Sequence, residues 1–171
     1  MSPRTAAPRI RSGIGWDSHR LVEGRRLVLG GVELPHVRGL DGHSDADVLA
    51  HAVTDAVLGA ACLGDIGQHF PDSDEAFRGA DSIALLREAA ARVRAAGWSP
   101  VHADCTVVLE RPKLGDAREA MRERLAGALG LGAADVNVKA STGERIGFVG
   151  REEGVAALAV VTVEAVDRPA L

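Results

Sequence analysis

The chain has 171 residues, of which 46% are hydrophobic and 26% are charged, a balance typical of one globular domain with its own core. Aromatic residues make up 3% and the formal net charge is −4. Both values argue against a nucleic-acid-binding protein, which needs stacking side chains and a basic surface. An acidic protein that handles phosphates needs metal ions, local basic residues or backbone amides, so these are the features to look for.

Cysteine usage and hydropathy indicate a cytoplasmic protein. Cys62 and Cys105 lie in apolar stretches outside any CxxC motif, and we interpret them as small buried residues rather than a disulfide or a redox pair. No apolar run is long enough to span a membrane, and the first ten residues contain no hydrophobic signal core. Residues 1–9 contain two prolines and predict a loose extension, followed by a single domain over residues 10–171.

The first elements along the chain are predicted to be strands. Alternating apolar residues from Ile10 to Trp16 predict one strand, after which residues 17–19 fall in a turn-rich segment. Residues 26–34 predict a second strand that bends at its two glycines. Residues 37–43, which are polar and rich in glycine, predict a loop.

A first helix is predicted to begin after Ser44, which with Asp47 resembles a capping box, and to end near Gly64. Residues 64–79 predict a long polar loop, and loops of this length in small domains are usually functional or mobile. The later pattern predicts helices over 82–96 and 116–130 and strands over 101–110, 136–140 and 155–166. The order ββααβαββ indicates an α+β fold with helices packed on one face of a sheet.

Asp17, His19 and His51 form a candidate metal site. Asp17 and His19 are two residues apart, so their side chains point the same way in extended backbone. His51 shares one face of the first helix with Asp47 and Asp55, because these residues are spaced by four. One carboxylate and two imidazoles are a ligand set typical of catalytic zinc. The spacing fits equally a turn-capping Asp17 and a packed helix histidine, so it leaves both interpretations open.

Three other groups of polar residues have a functional and an ordinary interpretation. His43 and Ser44 precede the first helix, where exposed amides bind anions, yet a serine there is also a plain cap. The carboxylates of the 64–79 loop fit a metal, sugar hydroxyls, loop ordering or simple solvation. Residues 141–144, with two hydroxyls and Glu144, fit phosphate and magnesium or a polar turn.

Basic residues near the C-terminal half are similarly ambiguous. Lys113, in a turn made rigid by a proline, fits a nucleotide phosphate or a solvated surface position. Arg151 fits a ligand contact or a surface ion pair with Glu153.

Six blocks of residues, in this order along the chain, resemble the 2-C-methyl-D-erythritol 2,4-cyclodiphosphate synthase family. They are GIGWDSHRL, LGGVELP, GHSDADVLAHAVTDAVLGA, LGDIGQHFPDSD, RPKL and VNVKASTGERIGFVGREEGVAALAVV. The resemblance extends from Ile10 to about Val163, and no position expected to take part in chemistry departs from it. The N-terminal extension and the Arg-Pro pair before Lys113 are peripheral.

The resemblance implies a homotrimer with active sites between adjacent subunits. It also implies a phosphorus–oxygen lyase of the non-mevalonate isoprenoid pathway. In that reaction the 2-phosphate of 4-diphosphocytidyl-2-C-methyl-D-erythritol 2-phosphate attacks the β-phosphorus, and CMP leaves as the cyclic diphosphate forms. Such a transfer needs positioning and charge neutralisation rather than a covalent nucleophile on the protein.

Two metal sites are implied by the same resemblance. Asp17, His19 and His51 would bind Zn²⁺ or a similar divalent ion. Glu144 would hold Mg²⁺ or Mn²⁺ between the α- and β-phosphates of the substrate. The net charge of −4 is no obstacle to an anionic substrate once two divalent ions are bound.

The resemblance further implies which residues contact the substrate. His43 and Thr142 would stabilise the transition state. The methylerythritol phosphate would be held by Ser44, Asp65, Ile66, Gly67, Phe70, Pro71, Asp72, Ser73 and Asp74, and the cytidine diphosphate by Lys113, Leu114, Ala140, Ser141 and Thr142 of the neighbouring subunit. Phe148 and Arg151 would line a cavity on the trimer axis, which in this family can hold an isoprenoid diphosphate.

Two other functions are compatible with the same residues. A metal-dependent nucleotide-diphosphate phosphohydrolase would use a bound water and a general base, for which Asp65 and His69 are candidates. A non-catalytic trimeric protein would use only the axial cavity to bind an isoprenoid diphosphate. The complete set of metal and phosphate residues argues against this second alternative.

Overall fold

The computed structural model of the protein describes residues 9–166. Residues 1–8 of the predicted extension and residues 167–171 of the predicted domain lie outside this range. The strands are β1 (Ile10–Glu23), β2 (Leu27–Leu29), β3 (Val32–Leu34), β4 (Arg38–Leu40), β5 (Trp98–Val108), β6 (Val136–Ser141) and β7 (Gly154–Ala165). The helices are α1 (Val48–Ala60), α2 (Ile66–His69), α3 (Ser82–Ala95), α4 (Ala117–Leu129) and α5 (Gly147–Gly150), with 3-10 turns at Glu75–Phe77 and Ala133–Asp135.

A five-stranded mixed sheet forms the centre of the fold, in the order β4-β1-β7-β5-β6. The long strands β1 and β7 run antiparallel over a continuous register from Ile10 opposite Glu164 to Arg20 opposite Gly154. β5 is antiparallel to β7 and parallel to β6. The α+β prediction is confirmed, and the short strands β2 and β3 form a separate hairpin.

The helices cover one face of the sheet. Helix α1 packs on β1 and β7, and two glycines of β1 allow its close approach. A Cβ atom at Gly15 would lie 1.9 Å from the carbonyl oxygen of Ala52, and one at Gly13 would lie 2.2 Å from that of Ala56. Any side chain at these positions would push the helix off the sheet, which explains the GIG of the first block.

Alternate residues of β1 and β7 leave the opposite face of the sheet apolar and exposed. Ile14, Trp16, Leu158 and Val160 are exposed large hydrophobic residues, and they form cross-strand pairs Ile14–Val160 and Trp16–Leu158. We call these four residues the outer patch. Exposed apolar clusters of this kind mark contact surfaces in many proteins.

Several predicted elements differ in the structure. The first strand does not stop at Trp16 but continues to Glu23, so Asp17 and His19 lie within β1. The strand predicted over 26–34 is the β2–β3 hairpin, because its two glycines adopt the left-handed conformation of a tight hairpin turn. The loop predicted over 37–43 contains β4, and the one over 64–79 contains α2 and a 3-10 turn.

The predicted start of the first helix is wrong by three residues. Helix α1 begins at Val48, and Asp47 rather than Ser44 caps it by accepting hydrogen bonds from the backbone N–H groups of Leu49 and Ala50. Asp47 is fully buried and also accepts from the N–H groups of the two hairpin glycines at 2.8 and 2.6 Å. The amides at this helix end are therefore occupied by Asp47, and Ser44 is not the cap.

Cys62 and Cys105 are both free thiols, as predicted, but only Cys105 is buried. Burial raises the pKa of Cys105 to about 12, so this thiol stays protonated. Cys62 is exposed at the end of α1, which corrects the prediction that both are buried. Among residues 9–166, no helix has the length and apolar character needed to cross a membrane.

Candidate metal centre and its cavity

Strand β1 and helix α1 bring the three predicted metal ligands together. Asp17 and His19 project from β1 toward α1, and His51 projects from the first turns of α1 back toward them. Asp17 Oδ2 lies 3.0 Å from His19 Nε2 and 3.0 Å from His51 Nδ1. The two ring nitrogens lie 3.2 Å apart. Within the described part of the chain, this is a group of His and acidic side chains that could hold a metal ion.

The far side of each imidazole is held by a hydrogen bond. His19 Nδ1 lies 2.7 Å from the carbonyl oxygen of Asp41, to which it can only donate. His51 Nε2 lies 2.8 Å from Ser82 Oγ and 3.1 Å from Ser44 Oγ. Each ring therefore turns its remaining nitrogen toward Asp17. Metal-binding histidines usually have such a partner on the nitrogen that does not bind the metal.

The electrostatics of the group favour an ionised carboxylate. Burial alone would raise the pKa of Asp17, but hydrogen bonds and charge interactions with His19 and His51 outweigh it and hold the pKa well below its usual value. Burial alone would lower the pKa of His19, but its hydrogen bond to Asp17 and the charge of that carboxylate raise the pKa above 6.5. Without a metal, Asp17 and His19 thus each favour the charged form of the other.

The spacing of the three ligand atoms fits a tetrahedral cation. Zinc bonds of about 2.0–2.2 Å at tetrahedral angles separate ligand atoms by roughly 3.3–3.6 Å. The observed separations of 3.0 to 3.2 Å need only a few tenths of an ångström of widening. Two imidazoles and one carboxylate also leave a fourth position for a substrate oxygen. The residues present therefore fit a catalytic zinc site.

Asp17, His19 and His51, which we call the metal-ligand group, form one wall of a cavity of about 420 Å³. We call this the metal-side cavity. Residues between β4 and α1, in and around α2, and on α3 complete this cavity. The lining residues are Asp17, His19, Gly42, His43, Ser44, His51, Asp55, Ile66, Gly67, Phe70, Pro71, Asp72, Phe77 and Leu85. Seven of them besides the metal-ligand group were predicted as site residues, so the cavity assembles most of the predicted methylerythritol phosphate contacts.

A second cavity, of about 340 Å³, lies at the ends of β5 and β6. It is lined by Leu109, Pro112, Lys113, Leu114, Ala140, Ser141 and Thr142. All five residues predicted to contact cytidine diphosphate are in this set. Within residues 9–166, no residue lines both cavities.

Comparison with known proteins assigns the family. A model of the YgbB family matches residues 10–164. The chain is 61% identical over 151 residues to the 2-C-methyl-D-erythritol 2,4-cyclodiphosphate synthase of Chromobacterium violaceum, covering 88% of this chain and 96% of that protein. The chain belongs to this synthase family. The comparison confirms the resemblance seen in the six sequence blocks and the prediction of an enzyme.

Solved structures agree with this family assignment. The bifunctional IspDF from Campylobacter jejuni superimposes with a TM-score of 0.90 at 45% identity, covering 94% of this chain and 44% of that larger chain. A structure of 2C-methyl-D-erythritol-2,4-cyclodiphosphate synthase in a CDP-bound form gives a TM-score of 0.82 at 42% identity, covering 90% and 99%. The synthase fold is thus common to all three chains.

Some predicted substrate residues have structural contacts in this synthase fold. Asp65 caps α2, with its carboxylate accepting from the backbone and side-chain nitrogens of Gln68. Asp74 caps the following 3-10 turn, and Ser73 beside it is exposed. These three residues lie next to the metal-side cavity but do not line it.

Glu144 lies apart from the metal-ligand group, just after β6. Its backbone is in the left-handed region, with φ of 51°, and its carboxylate accepts a hydrogen bond from the Thr142 hydroxyl. Glu144 is exposed, so its oxygens are open to a ligand. Thr142 lines the second cavity, so Glu144 lies beside that cavity.

Phe148 and Arg151 lie on and after α5. Phe148 is partly exposed and packs against Gly154 at the start of β7. The Arg151 guanidinium donates to Glu153 at 2.8 and 3.1 Å, so the surface ion pair considered from the sequence forms.

Sequence reasoning missed several residues that shape the metal centre. The Asp41 carbonyl and the Ser82 hydroxyl orient the two histidines, and neither gives a local sequence signal because both are distant in the chain. Asp55 lines the cavity and accepts a 2.7 Å hydrogen bond from the Ile66 N–H, and burial raises its pKa. Its spacing of four from His51 placed it on the same helix face in the sequence but did not mark it as a residue that lines the cavity.

Proposed function

We propose that the protein converts 4-diphosphocytidyl-2-C-methyl-D-erythritol 2-phosphate into 2-C-methyl-D-erythritol 2,4-cyclodiphosphate and CMP in the cytoplasm. A 2-phosphate oxygen forms a bond to the β-phosphorus, and the bond from that phosphorus to the bridging oxygen breaks, leaving the oxygen on CMP. The main support for this proposal is that Asp17, His19 and His51 form a candidate metal site that faces the metal-side cavity. The chain that holds this site is a member of the synthase family.

Two divalent ions complete the proposed site. Asp17, His19 and His51 would hold Zn²⁺, and Glu144 would hold Mg²⁺ or Mn²⁺. When bound, such ions neutralise phosphate charge and act as Lewis acids on phosphoryl oxygens. The ligand chemistry supports this division, since imidazole suits zinc and a lone carboxylate shared with phosphates suits magnesium.

The chain's own groups would position the substrate and stabilise charge. His43 lines the metal-side cavity, and its Nε2 donates to the Asp74 carbonyl at 3.0 Å, which fixes the ring at the cavity rim. Ser44 would hold the methylerythritol phosphate together with the residues 65–67 and 70–74. Thr142 would turn its hydroxyl proton from Glu144 to a phosphate oxygen that develops charge, a form of stabilisation that acts strongly in a dry site.

Cytidine diphosphate would occupy the second cavity. Lys113 provides a positive charge there, and Leu114 with Ala140, Ser141 and Thr142 provides apolar surface and hydroxyl groups. The solved synthase structure described as the CDP-bound form supports a cytidine nucleotide as the ligand of this family's fold.

A homotrimer would join the two cavities. One substrate needs both the metal side and the nucleotide side, and in the described chain the two cavities share no lining residue. If the metal-side cavity of one subunit adjoins the second cavity of the next subunit, which we call the nucleotide cavity, both can contact the same substrate. The outer patch would be buried by the same assembly, with Phe148 and Arg151 lining an axial cavity that can accept an isoprenoid diphosphate.

The hydrolase alternative has less support from the geometry. His69 donates from Nε2 to the Leu63 carbonyl at 2.8 Å, and its Nδ1 lies 2.7 Å from an Arg92 nitrogen that can only donate. Both oxygens of the Asp65 carboxylate accept hydrogen bonds from Gln68. Both candidate bases are therefore engaged, and neither lines the metal-side cavity.

Incubation with the substrate, Zn²⁺ and Mg²⁺ tests the proposal, with ³¹P NMR of the products. We expect CMP and the cyclic diphosphate in equal amounts, and no turnover by His51→Ala. CMP with an acyclic bisphosphate would instead show a hydrolase. Absence of turnover together with tight binding of an isoprenoid diphosphate would favour the non-catalytic alternative.

A further inference from the structure

The second nitrogen of the His51 ring enters a buried network behind the metal centre. Ser82, the first residue of α3, is fully buried and places Oγ 2.8 Å from His51 Nε2. Asp45 lies behind Ser82. Its Oδ2 accepts from the Ser82 backbone N–H at 3.1 Å, and its Oδ1 contacts the Ser82 hydroxyl. His51, Ser82 and Asp45 thus form a continuous chain of hydrogen bonds leading away from Asp17.

The direction of each bond in this chain follows from which groups can donate. An ionised carboxylate only accepts, so the Ser82 hydroxyl gives its one proton to Asp45. Ser82 Oγ can then only accept from His51, which places the proton of the neutral ring on Nε2. A charged ring also donates from Nδ1 to Asp17 Oδ2 at 3.0 Å, and loss of that proton leaves the Nδ1 lone pair free for a metal.

The backbone holds this network in place. Residues 43–45 and 79–82 are joined by hydrogen bonds from the Asp45 N–H to the Ala80 carbonyl at 3.1 Å and from the Gly79 N–H to the His43 carbonyl at 2.8 Å. The Asp47 N–H also donates to Asp45 Oδ1 at 3.2 Å. Asp45 and Ser82 therefore have little freedom to reorient when His51 changes its partner.

We propose that Asp45 and Ser82 are positioning residues that select the His51 tautomer with a free Nδ1 and fix the ring for metal binding. The inference rests on the metal site proposed above. Partners that orient a metal-binding histidine typically change metal affinity by about 10–100-fold when they are removed. Ser44 Oγ lies 3.1 Å from the same nitrogen, but its hydroxyl proton can go to Ser82 Oγ at 3.3 Å, so the ring keeps its proton on Nε2.

Asp45→Asn reverses the network with almost no change in shape. The orientation that keeps the 3.1 Å bond from the Ser82 N–H turns the amide NH₂ group toward Ser82 Oγ and gives up the 3.2 Å bond from the Asp47 N–H. The hydroxyl is then free to donate to His51 Nε2, which moves the ring proton to Nδ1 and blocks the metal lone pair. Ser82→Ala instead removes the link, so the tautomer is no longer selected.

The test is a Co²⁺ titration of the metal-free full chain without substrate, followed by visible absorption. We expect about 10–100-fold weaker binding in Asp45→Asn and in Ser82→Ala. The double variant should bind no more weakly than the weaker single variant, because both residues act through one chain of bonds. The ¹⁵N spectrum of the His51 ring should show Nε2 protonated in the unsubstituted protein and a shift toward Nδ1 protonation in Asp45→Asn.

Thr54→Val is the matched control. Thr54 is also fully buried on α1, and its hydroxyl donates to the Ala50 carbonyl at 2.8 Å without contacting His51. It should bind Co²⁺ with the affinity of the unsubstituted protein. Unchanged affinity in Asp45→Asn, or in a folded Ser82→Ala, would overturn the positioning role and leave the metal site intact. Failure of the unsubstituted protein to bind Co²⁺ would overturn the metal site as well.

Discussion

The His19 ring donates from Nδ1 to the carbonyl oxygen of Asp41 at 2.7 Å. Asp41 follows β4, the edge strand that pairs with the end of β1, so the sheet itself aligns the acceptor with the ring. Because of this bond, the Nε2 atom faces Asp17 in both the charged and the neutral forms of His19. The ring can therefore exchange a proton for a metal ion without turning.

This relationship predicts how metal stabilisation depends on pH. The raised pKa of His19 gives the metal-free protein stability that is complete below pH 6.5 and is lost as pH rises through the folded value. The lowered pKa of Asp17 gives stability that is present above 3.8 and is lost only in strong acid. The metal-free pair is thus most favourable between these values, where protons compete with a metal for His19.

We accordingly expect the increase in Tm on adding Zn²⁺ to be small at pH 5 and to grow up to pH 8. Metal affinity should change by about tenfold per pH unit below the His19 pKa, as one proton is displaced. Thermal unfolding at matched protein concentration, with and without Zn²⁺, measures this. A Tm increase that is constant across the range would contradict the prediction.

Glu144→Gln should lower turnover far more than it lowers stability. The substitution keeps the shape and the hydrogen bond from Thr142 but removes the charge that would hold a second cation. We expect kcat to fall by about 10²-fold, equal to roughly 2.7 kcal/mol of transition-state stabilisation. Glu123→Gln, a change of the same kind at an exposed position of α4, should leave kcat and Tm unchanged. Equal kcat in both variants would remove Glu144 from the mechanism.

Asp47→Asn should destabilise the fold without any direct contact with the metal-ligand group. Asp47 Oδ2 accepts a 2.6 Å hydrogen bond from the Gly31 N–H in a buried position, and an amide NH₂ there would face that donor. The loss is expected to be about 2 kcal/mol, the cost of an unsatisfied buried pair. Urea unfolding at fixed protein concentration measures it. Asp116→Asn is the control, because Asp116 holds the equivalent position at α4 without a capping bond.

Local sequence patterns predicted most of the fold but not the exact placement of the site. The apolar periodicity located α1, α3 and α4 within a few residues, because these helices bury one regular face. The turn predicted at residues 17–19 was wrong, because these residues continue β1. Asp17 and His19 lie on the inward face of the strand, where the alternating pattern predicts apolar residues, since this part of the strand lines the metal-side cavity. Ser82 was not found because its contact with His51 depends on the packing of α3 against α1, which no local spacing encodes.

Gly15→Ala should disrupt the packing of α1 on β1. The added methyl group would lie 1.9 Å from the Ala52 carbonyl oxygen, so the helix that holds His51 must move. We expect a loss of more than about 3 kcal/mol in unfolding free energy, or failure to fold. Gly127→Ala is the control, since nothing lies within 4 Å of its added Cβ on α4. That change should stabilise the protein by about 0.5–1 kcal/mol.

A charge in the outer patch tests the proposed assembly. Trp16 is 55% exposed in the single chain and pairs across strands with Leu158, so a trimer interface on this face would bury both. Trp16→Glu should then convert a species of three times the 17.8 kDa chain mass into monomers, as measured by sedimentation at micromolar concentration. Turnover should fall in parallel, because the metal-side and nucleotide cavities would no longer meet.

Val37→Glu provides the control for that experiment. Val37 is the most exposed of the large hydrophobic residues described, at 84%, and it lies between β3 and β4 rather than in the outer patch. A charge there should change neither the sedimenting mass nor the turnover. A strictly monomeric unsubstituted protein with full activity would contradict the shared site, because one chain alone would then have to bring its two separate cavities onto a single substrate.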